Sequence, residues 1–205
     1  MTLPHPAQVL AVFNDVSGYV SWYPQIAEAR RLLQISDFRR HSLCACVDLL
    51  SADVKRESWM PWAESNVVHR SINYLKFGLP VPFSDRDLVV YAFGADLLEE
   101  QGAIVVAVRS VQTKDVADHH VILPPVEGGD VRSSTNMSAH QFIPITQDKT
   151  YVRIVGNLDL DMGGLPTFLI NFLAKQVSHR LLLGLREKAP GQDIGEFQVF
   201  NIVYS

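Results

Sequence analysis

The 205-residue sequence has few of the residues that mark a disulfide-bonded, metal-binding or secreted protein. Cys44 and Cys46 are its only cysteines, which is too few for a disulfide framework or a zinc site, and we interpret them as buried thiols. No apolar run reaches the roughly 20 residues that cross a bilayer. The first Lys or Arg is Arg30, so the basic start of a secretory signal is missing. These absences predict a protein of the reducing cytoplasm.

The sequence also lacks an excess of positive charge. It has 18 Lys and Arg against 22 Asp and Glu, for a net charge of −4. Nucleic-acid binding usually requires a basic face, so we expect no nucleic-acid partner. With 47% hydrophobic and 20% charged residues, the composition is that of a globular protein with one main domain.

Motifs for catalysis are missing too. The sequence contains no G-x-S-x-G elbow, no H-E-x-x-H pair and no glycine-rich phosphate loop. Asp118-His119-His120 contains metal-ligand residue types, but adjacent histidines project differently, so we predict a solvated loop there. We therefore predict a protein that is not an enzyme and uses no metal and no cofactor.

What the sequence does contain is a long amphipathic helix near its end. A strand over residues 151–160 is followed by two glycines, Gly163 and Gly164, which allow a sharp turn that we expect one of them to make with a positive φ. Pro166 suits the first turn of a helix, and apolar residues then recur at helical spacing as far as Leu185. The start of this apolar face is aromatic. It is either ordinary core or the lining of a ligand cavity.

The segments before this helix predict an α+β protein. We expect helices over residues 5–34, with one run ending at Phe13 and a second over residues 26–33, and further helical spacing from Leu43 to Val54. Two W-x-P segments, at Trp22 and Trp59, are not a repeat, because nothing else recurs at that offset. The sequence predicts strands over residues 66–77, 87–95, 103–111, 131–143 and 150–160, together with a tight hairpin loop at 99–102 and a long connection over 113–129.

Several of these segments together resemble a START domain, the helix-grip lipid-binding module. The matching stretches, in the family's order and covering about residues 55–188, are PVPFSDRDLV at 80–89, Ser110-Val111, Val131-Arg132, DMGGLP at 161–166 and Asn171. The resemblance implies a curved antiparallel sheet that wraps around the final helix, with a lipid-sized tunnel between them. It also implies lipid transfer or sensing without covalent chemistry.

The sequence departs from the family in two places. Residues 1–54 read as mostly helical, where the family has three strands, so the opening strands are expected to be missing or replaced. Some sterol-binding members carry a buried acid–arginine pair, and the matching positions here, near Asn73 and at Ala92, are uncharged. We therefore expect a phospholipid rather than a sterol. The predicted division is a helical region 1–54, a START-like domain 55–190 and a tail 191–205.

The candidate lipid contacts come from the strands and from the final helix. Arg109 and Arg132 lie among apolar neighbours: facing inward they would need an anion such as phosphate, and facing outward they would be solvated. Arg86 would meet a lipid head group or form a structural ion pair. Arg132, Asn136 and His140 share one face of the predicted strand 131–143. The full set of candidates is Arg86, Tyr91, Arg109, Arg132, Asn136, His140, Leu165, Phe168, Leu169, Phe172 and Gln176.

The expected function is the binding of a single lipid in an internal cavity, with transient contact at a membrane surface. Residues 97–102, residues 113–129 and the start of the final helix are candidate gates, and Leu165 and Phe168 give that helix start an apolar tip. Two alternatives remain open. One is a helix-grip cyclase or hydrolase that acts on a hydrophobic substrate, and the other is a protein-interaction domain whose cavity has closed.

Overall fold

The computed structural model describes residues 2–3, 6–23, 25–36, 67–79, 83–146, 149–159 and 167–191. The helices are α1 (Pro6–Asn14), α2 (Leu98–Gln101), α3 (Thr113–His119) and α4 (Thr167–Lys188). The strands are β1 (Thr2–Leu3), β2 (Ile26–Ser36), β3 (Val67–Phe77), β4 (Arg86–Leu97), β5 (Ala103–Ser110), β6 (Val131–Arg132), β7 (Ser134–Thr135), β8 (Ser138–Thr146), β9 (Lys149–Val155) and β10 (Leu158–Asp159).

One large sheet organises the molecule. Its strand order is β1-β9-β8-β5-β4-β3-β2, with antiparallel pairing throughout that path, and the short β6 runs parallel to the start of β4. The hairpin between β4 and β5 closes through α2 and Gly102, whose φ of 63° suits glycine. The predicted α+β class and the mainly antiparallel sheet are therefore confirmed.

One face of this sheet, the inner face, packs against α1 and the second half of α4. Phe142 of β8 and Ile104 of β5 are paired neighbours that join Leu181 and Leu185 of α4 in one buried cluster. The helix comes close to the chain after α1, where a Cβ at Gly184 would overlap the carbonyl oxygen of Trp22. The long C-terminal helix is thus confirmed, and its last turns are fixed to the inner face.

The opposite face, the outer face, is covered by α3 and the chain that follows it. Ile72, Tyr74 and Val89 form its buried centre, and Val111 and Val121 pack against them. Tyr74 and Val89 are directly paired across β3 and β4, as expected for side chains on the same face of a sheet. The long connection predicted over residues 113–129 therefore covers apolar surface, and it contains the helix α3, which the sequence analysis missed.

The predicted second helical run is wrong, because residues 26–36 form the strand β2. Register shifts interrupt its pairing with β3 between Ile26 and Glu28, between Arg31 and Leu33, and between Gln34 and Ser36. Each shift breaks the two-residue alternation of a strand, so the apolar residues fall at spacings that resemble a helix. The expectation that the three opening strands are missing or replaced is also corrected in part, since β1 and β2 both join the main sheet.

Two other predicted strands are shorter than expected. Residues 131–143 do not form one strand but divide among β6, β7 and β8, and residues 150–160 divide between β9 and β10. Because of the breaks at Ser133 and residues 136–137, alternation does not carry from Arg132 through to His140. The predicted helical spacing up to Val54, the second W-x-P segment and the turn at 161–166 lie outside the described residues.

Candidate functional site

The centre of the inner face is a floor of small and aliphatic side chains. One row of paired residues crosses four strands in the order His69, Gly94, Val106 and His140. The next row on the same face runs through Ser71, Ala92, Val108 and Ser138. We call the four middle positions, Ala92, Gly94, Val106 and Val108, the inner floor.

Polar residues border the inner floor on both sides. His69 and His140 are three strand spacings apart, which is on the order of 14 Å. Val106 and Val108 lie on β5, the middle strand of the sheet path, yet they are only half-buried. Apolar side chains at the centre of a sheet are normally fully covered, so the inner floor is incompletely covered by the rest of the protein.

On one side of the floor, β3 carries three buried polar residues at alternate positions: His69, Ser71 and Asn73, which we call the inner ladder. Gln34 Nε2 lies 3.3 Å from His69 Nδ1, and His69 Nε2 lies 3.2 Å from Ser71 Oγ. With the Gln34 amide oriented in this way, its nitrogen donates to Nδ1, which assigns to His69 the tautomer that donates from Nε2 to Ser71. Asn73 Nδ2 also donates to Ser71 Oγ, at 3.1 Å.

Arg31, beside the inner ladder, and Asn73, within it, each have a buried polar atom without a hydrogen-bond partner in the described part of the chain. Arg31 of β2 pairs directly with Asn73, so both side chains share the inner face. Arg31 Nη2 donates to the backbone oxygen and, at 3.0 Å, to the Oδ1 of Asn14 at the end of α1. Its buried Nε has no acceptor, and the buried Oδ1 of Asn73 has no donor. Unpaired buried groups are rare in folded proteins and require an explanation.

His140 borders the floor from the other side. Its ring centroid lies 4.8 Å from that of Phe13 at the end of α1. Burial lowers the pKa of His140 to about 4, because this apolar environment disfavours the charged imidazolium. Its Nδ1 is buried and has no hydrogen-bond partner among the residues that the structure describes. His140 is thus a neutral polar group with hydrogen-bonding capacity to spare.

The charged candidates Arg132 and Arg109 lie instead on the outer face, and each has a carboxylate partner. Arg132 binds the fully buried Asp87 through Nε to Oδ1 at 2.6 Å and Nη2 to Oδ2 at 2.7 Å. Hydrogen bonding to Asp87 raises the pKa of Arg132. Arg132 also donates to the carbonyl oxygen of Pro124 at 2.8 Å, which fixes the connection to the sheet.

Arg109 forms the second of these ion pairs. It contacts Asp115 of α3 through Nη1 to Oδ2 at 2.7 Å and Nη2 to Oδ1 at 2.9 Å, and its guanidinium lies 4.9 Å from the ring centre of Tyr91. Tyr91 in turn stacks on His119 at 6.2 Å. Burial acts to raise the pKa of Asp115, but hydrogen bonds from Arg109 and the Gln112 N–H hold it below its usual range.

The remaining candidates are placed separately. Arg86 starts β4, is buried and donates to the carbonyl oxygen of Ser84 at 2.7 Å. Asn136 is exposed between β7 and β8. Phe168, Leu169, Phe172 and Gln176 belong to α4, although their side chains, like all of Leu165, lie outside the described set. Of the strand candidates, His140 faces the inner floor, while Tyr91, Arg109 and Arg132 surround α3 and the connection.

The inner ladder and Arg31 were not among the residues predicted from the sequence. A signal for the ladder was present, because His69, Ser71 and Asn73 alternate with Ile72 and Tyr74 in a segment predicted as a strand. Arg31 gave no such signal, since β2 was assigned to a helix. Within the described ranges, no group of three His, Cys, Asp or Glu could hold a metal ion, and no helix is long and apolar enough to cross a membrane.

Comparisons with known proteins identify this architecture. No protein-family model matches the sequence, and no curated protein matches it either. Solved structures do match. Human STARD10 has a TM-score of 0.59 at 13% identity over 92% of this chain, which spans 59% of that chain. A STAR-related lipid transfer protein from Xanthomonas axonopodis has a TM-score of 0.57 at 19% identity, with 93% of this chain and 82% of that chain covered.

Human StAR-related lipid transfer protein 5 is similar to the same degree, with a TM-score of 0.58 at 14% identity, covering 92% of this chain and 73% of that chain. The chain therefore has the helix-grip fold of START domains, as the ordered sequence motifs predicted. These matches show the fold alone, and the chemistry of the site depends on the side chains of the inner face.

Proposed function

We propose that this protein binds a single lipid between the inner floor and α4 and carries or senses it in the cytoplasm. The observation that carries the proposal is the half-buried apolar floor at Val106 and Val108, which is bordered on both sides by polar groups. A lipid offers acyl chains to the floor and a polar head to its border. The fold supports the proposal, since the similar STAR-related structures are named for lipid transfer.

A non-enzymatic role is favoured by the direction of hydrogen bonding in the inner ladder. His69 and Ser71 resemble a base and a nucleophile in distance, at 3.2 Å. In the tautomer in which Gln34 donates to Nδ1, His69 Nε2 donates to Ser71 and does not take its proton. Ser71 is also only 1% exposed, which closes it to attack on a substrate. We therefore prefer binding over the hydrolase or cyclase alternative.

Filling the inner floor tests the proposal. Val106→Trp should occupy the space of the ligand and abolish lipid binding, whereas Val155→Trp, at a position 67% exposed on β9, should leave it intact. The measurement is native mass spectrometry of protein purified from cells, with a bound lipid expected at one per chain. The proposal is contradicted, and a protein-interaction domain favoured, if the wild-type protein carries no co-purifying lipid and takes up none from phospholipid vesicles.

We further propose that the start of α4 is the gate and touches the membrane transiently. Apolar side chains there would contribute about 1.5–3 kcal/mol each on insertion, enough for weak and reversible contact. Phe168→Asp, and likewise Leu165→Asp, should slow lipid transfer between vesicles without loss of fold. Ile122→Asp, at a loop position 90% exposed on the outer side, is the matched control and should transfer normally. If lipid transfer slows only in Ile122→Asp, the gate is the connection over residues 113–129 and not the start of α4.

A further inference from the structure

The two unpaired atoms belong to residues that lie directly opposite each other in β2 and β3, a donor on Arg31 and an acceptor on Asn73. The residues face each other across β2 and β3, and each is tied down on its other side: Arg31 by Asn14 and Asn73 by Ser71. What remains is one buried N–H donor on a cation and one buried amide oxygen acceptor. Asn73 is 6% exposed, so bulk water does not readily satisfy it. A group that fits this site must accept one hydrogen bond and donate another.

Charge narrows the choice of ligand. In the described part of the chain, no carboxylate lies within ion-pair distance of Arg31, whereas Arg109 and Arg132 on the outer face both have one. A partly buried guanidinium that contacts only neutral oxygens is stabilised by an anionic ligand, and phosphate matches its geometry. The acceptor Asn73 Oδ1, in contrast, would repel the same anion and requires an N–H or O–H of the ligand.

We infer that the Arg31–Asn73 site binds the head group of a phospholipid that carries a hydrogen-bond donor beyond its phosphate, a primary amine or a hydroxyl. A phosphate oxygen accepts from Arg31 Nε, and the amine or hydroxyl donates to Asn73 Oδ1. The acyl chains extend over the inner floor. A choline head group has no N–H or O–H and leaves Asn73 unpaired, which is costly in a buried site. This inference rests on the proposed function and specifies its ligand.

The test compares lipids that differ only in the head group. Wild-type protein is titrated with dioleoyl phosphatidylethanolamine, phosphatidylglycerol and phosphatidylcholine in otherwise identical vesicles. The two donor-bearing lipids should bind on the order of tenfold more tightly than phosphatidylcholine, as one unmade buried hydrogen bond implies. Equal affinities would overturn the inference while leaving lipid binding in place. Failure to bind any of the three would contradict the proposed function itself.

A substitution then locates the preference. Asn73→Ala should remove the preference between head groups, so that phosphatidylethanolamine and phosphatidylglycerol bind no more tightly than phosphatidylcholine. Asn157→Ala, at an exposed asparagine in the turn after β9, should retain the preference. The comparison is a ratio within one folded variant, so a general loss of stability does not imitate it. A preference retained in Asn73→Ala would place the head group elsewhere.

The phosphate half of the site is tested separately. Arg31→Gln should weaken binding of all three phospholipids about equally and leave binding of dioleoylglycerol, which lacks the phosphate, unchanged. Equal weakening for dioleoylglycerol would show that Arg31 only holds α1 and would overturn its role. Glycerophosphoethanolamine, the head group without acyl chains, distinguishes a lipid from a soluble phosphate ester. If it binds as tightly as the lipid, the ligand is not a phospholipid.

Discussion

The two faces of the sheet both contain buried polar residues but use them differently. On the outer face the two buried carboxylates each have an arginine partner: Asp87 pairs with Arg132 at 2.6 Å and Asp115 with Arg109 at 2.7 Å. On the inner face, Arg31, Asn73 and His140 each retain a buried atom without a partner among the described residues. Complete pairing fits a structural role, because it offsets the desolvation of the charges. Incomplete pairing fits a surface that is completed by a ligand.

Removing the carboxylate of Asp87 should break the outer face most strongly. Asp87→Ala leaves Arg132 without its buried partner and should lower the free energy of unfolding by about 3–5 kcal/mol. Chemical denaturation at pH 7 measures the change. Asp118→Ala is the control, because its contact with Lys114 is a surface pair at 3.9 Å that should contribute about 0.5 kcal/mol or less. A loss below 1 kcal/mol at Asp87 would remove the contrast between the faces.

Acid should destabilise the protein through His140 on the inner face, because its buried imidazole resists protonation. Its folded pKa is about 4 against the ordinary 6.5, so the unfolded chain takes up this proton first as the pH falls. The associated stability is complete above pH 6.5 and is lost as the pH falls towards 4, by about 2 kcal/mol for this half-buried group. His140→Phe should remove that part of the acid sensitivity, and His119→Phe, which keeps the stacking on Tyr91, should not. Identical pH profiles for His140→Phe and wild type would contradict the assignment.

A smaller pH effect of the same sign is expected from Asp115 on the outer face. Its folded pKa is depressed, so it contributes stability above its unfolded value of about 4, and this stability is lost as the pH falls through the folded pKa. Asp115→Asn should therefore destabilise the protein at pH 7 by about 1–2 kcal/mol. The difference from wild type should shrink at the acid end of the profile. If the difference in unfolding free energy between Asp115→Asn and wild type stays constant down to low pH, the attraction between the charges of Asp115 and Arg109 does not contribute to stability.

The smallest change in stability should accompany the substitution that matters most for the ligand. Asn73→Leu removes an incompletely bonded amide and adds apolar surface, so the free energy of unfolding without lipid should change by less than about 1 kcal/mol. Thermal unfolding without and with lipid provides the measurement. In the variant, phosphatidylethanolamine should raise the unfolding temperature by less than it does in wild type, although the unfolding temperature without lipid is nearly the same. A large loss in the ligand-free state would assign the inner ladder to the structural core instead.

The sequence alone was sufficient for those elements in which local pattern and tertiary environment agree. The continuous apolar runs of β4 and β5 and the helical spacing of α4 predicted those elements, because a strand that is covered on both faces is apolar throughout and a helix that packs on one face repeats its apolar residues every three or four positions. Prediction from the sequence failed for β2, where three register shifts break the alternation. It also failed for α3, a helix of two turns that is attached to the sheet through the contact between Asp115 and Arg109. Irregular pairing and short helices depend on partners that are distant along the chain.

The site was predicted less completely than the fold. Residue types at Arg109, Arg132 and His140 identified polar groups among apolar neighbours, which was correct, but not the face that each one occupies. Alternation along a strand shows which side chains share a face, but only within one uninterrupted strand. A break such as the one at Ser133 means that the face of His140 cannot be deduced from the face of Arg132. The amino-acid sequence determined the strands, the final helix and their order. Only the tertiary structure decided that Arg109 and Arg132 bind carboxylates, whereas Arg31 and Asn73 lie opposite each other with one polar atom each left unpaired, because such neighbours come from separate elements of the fold.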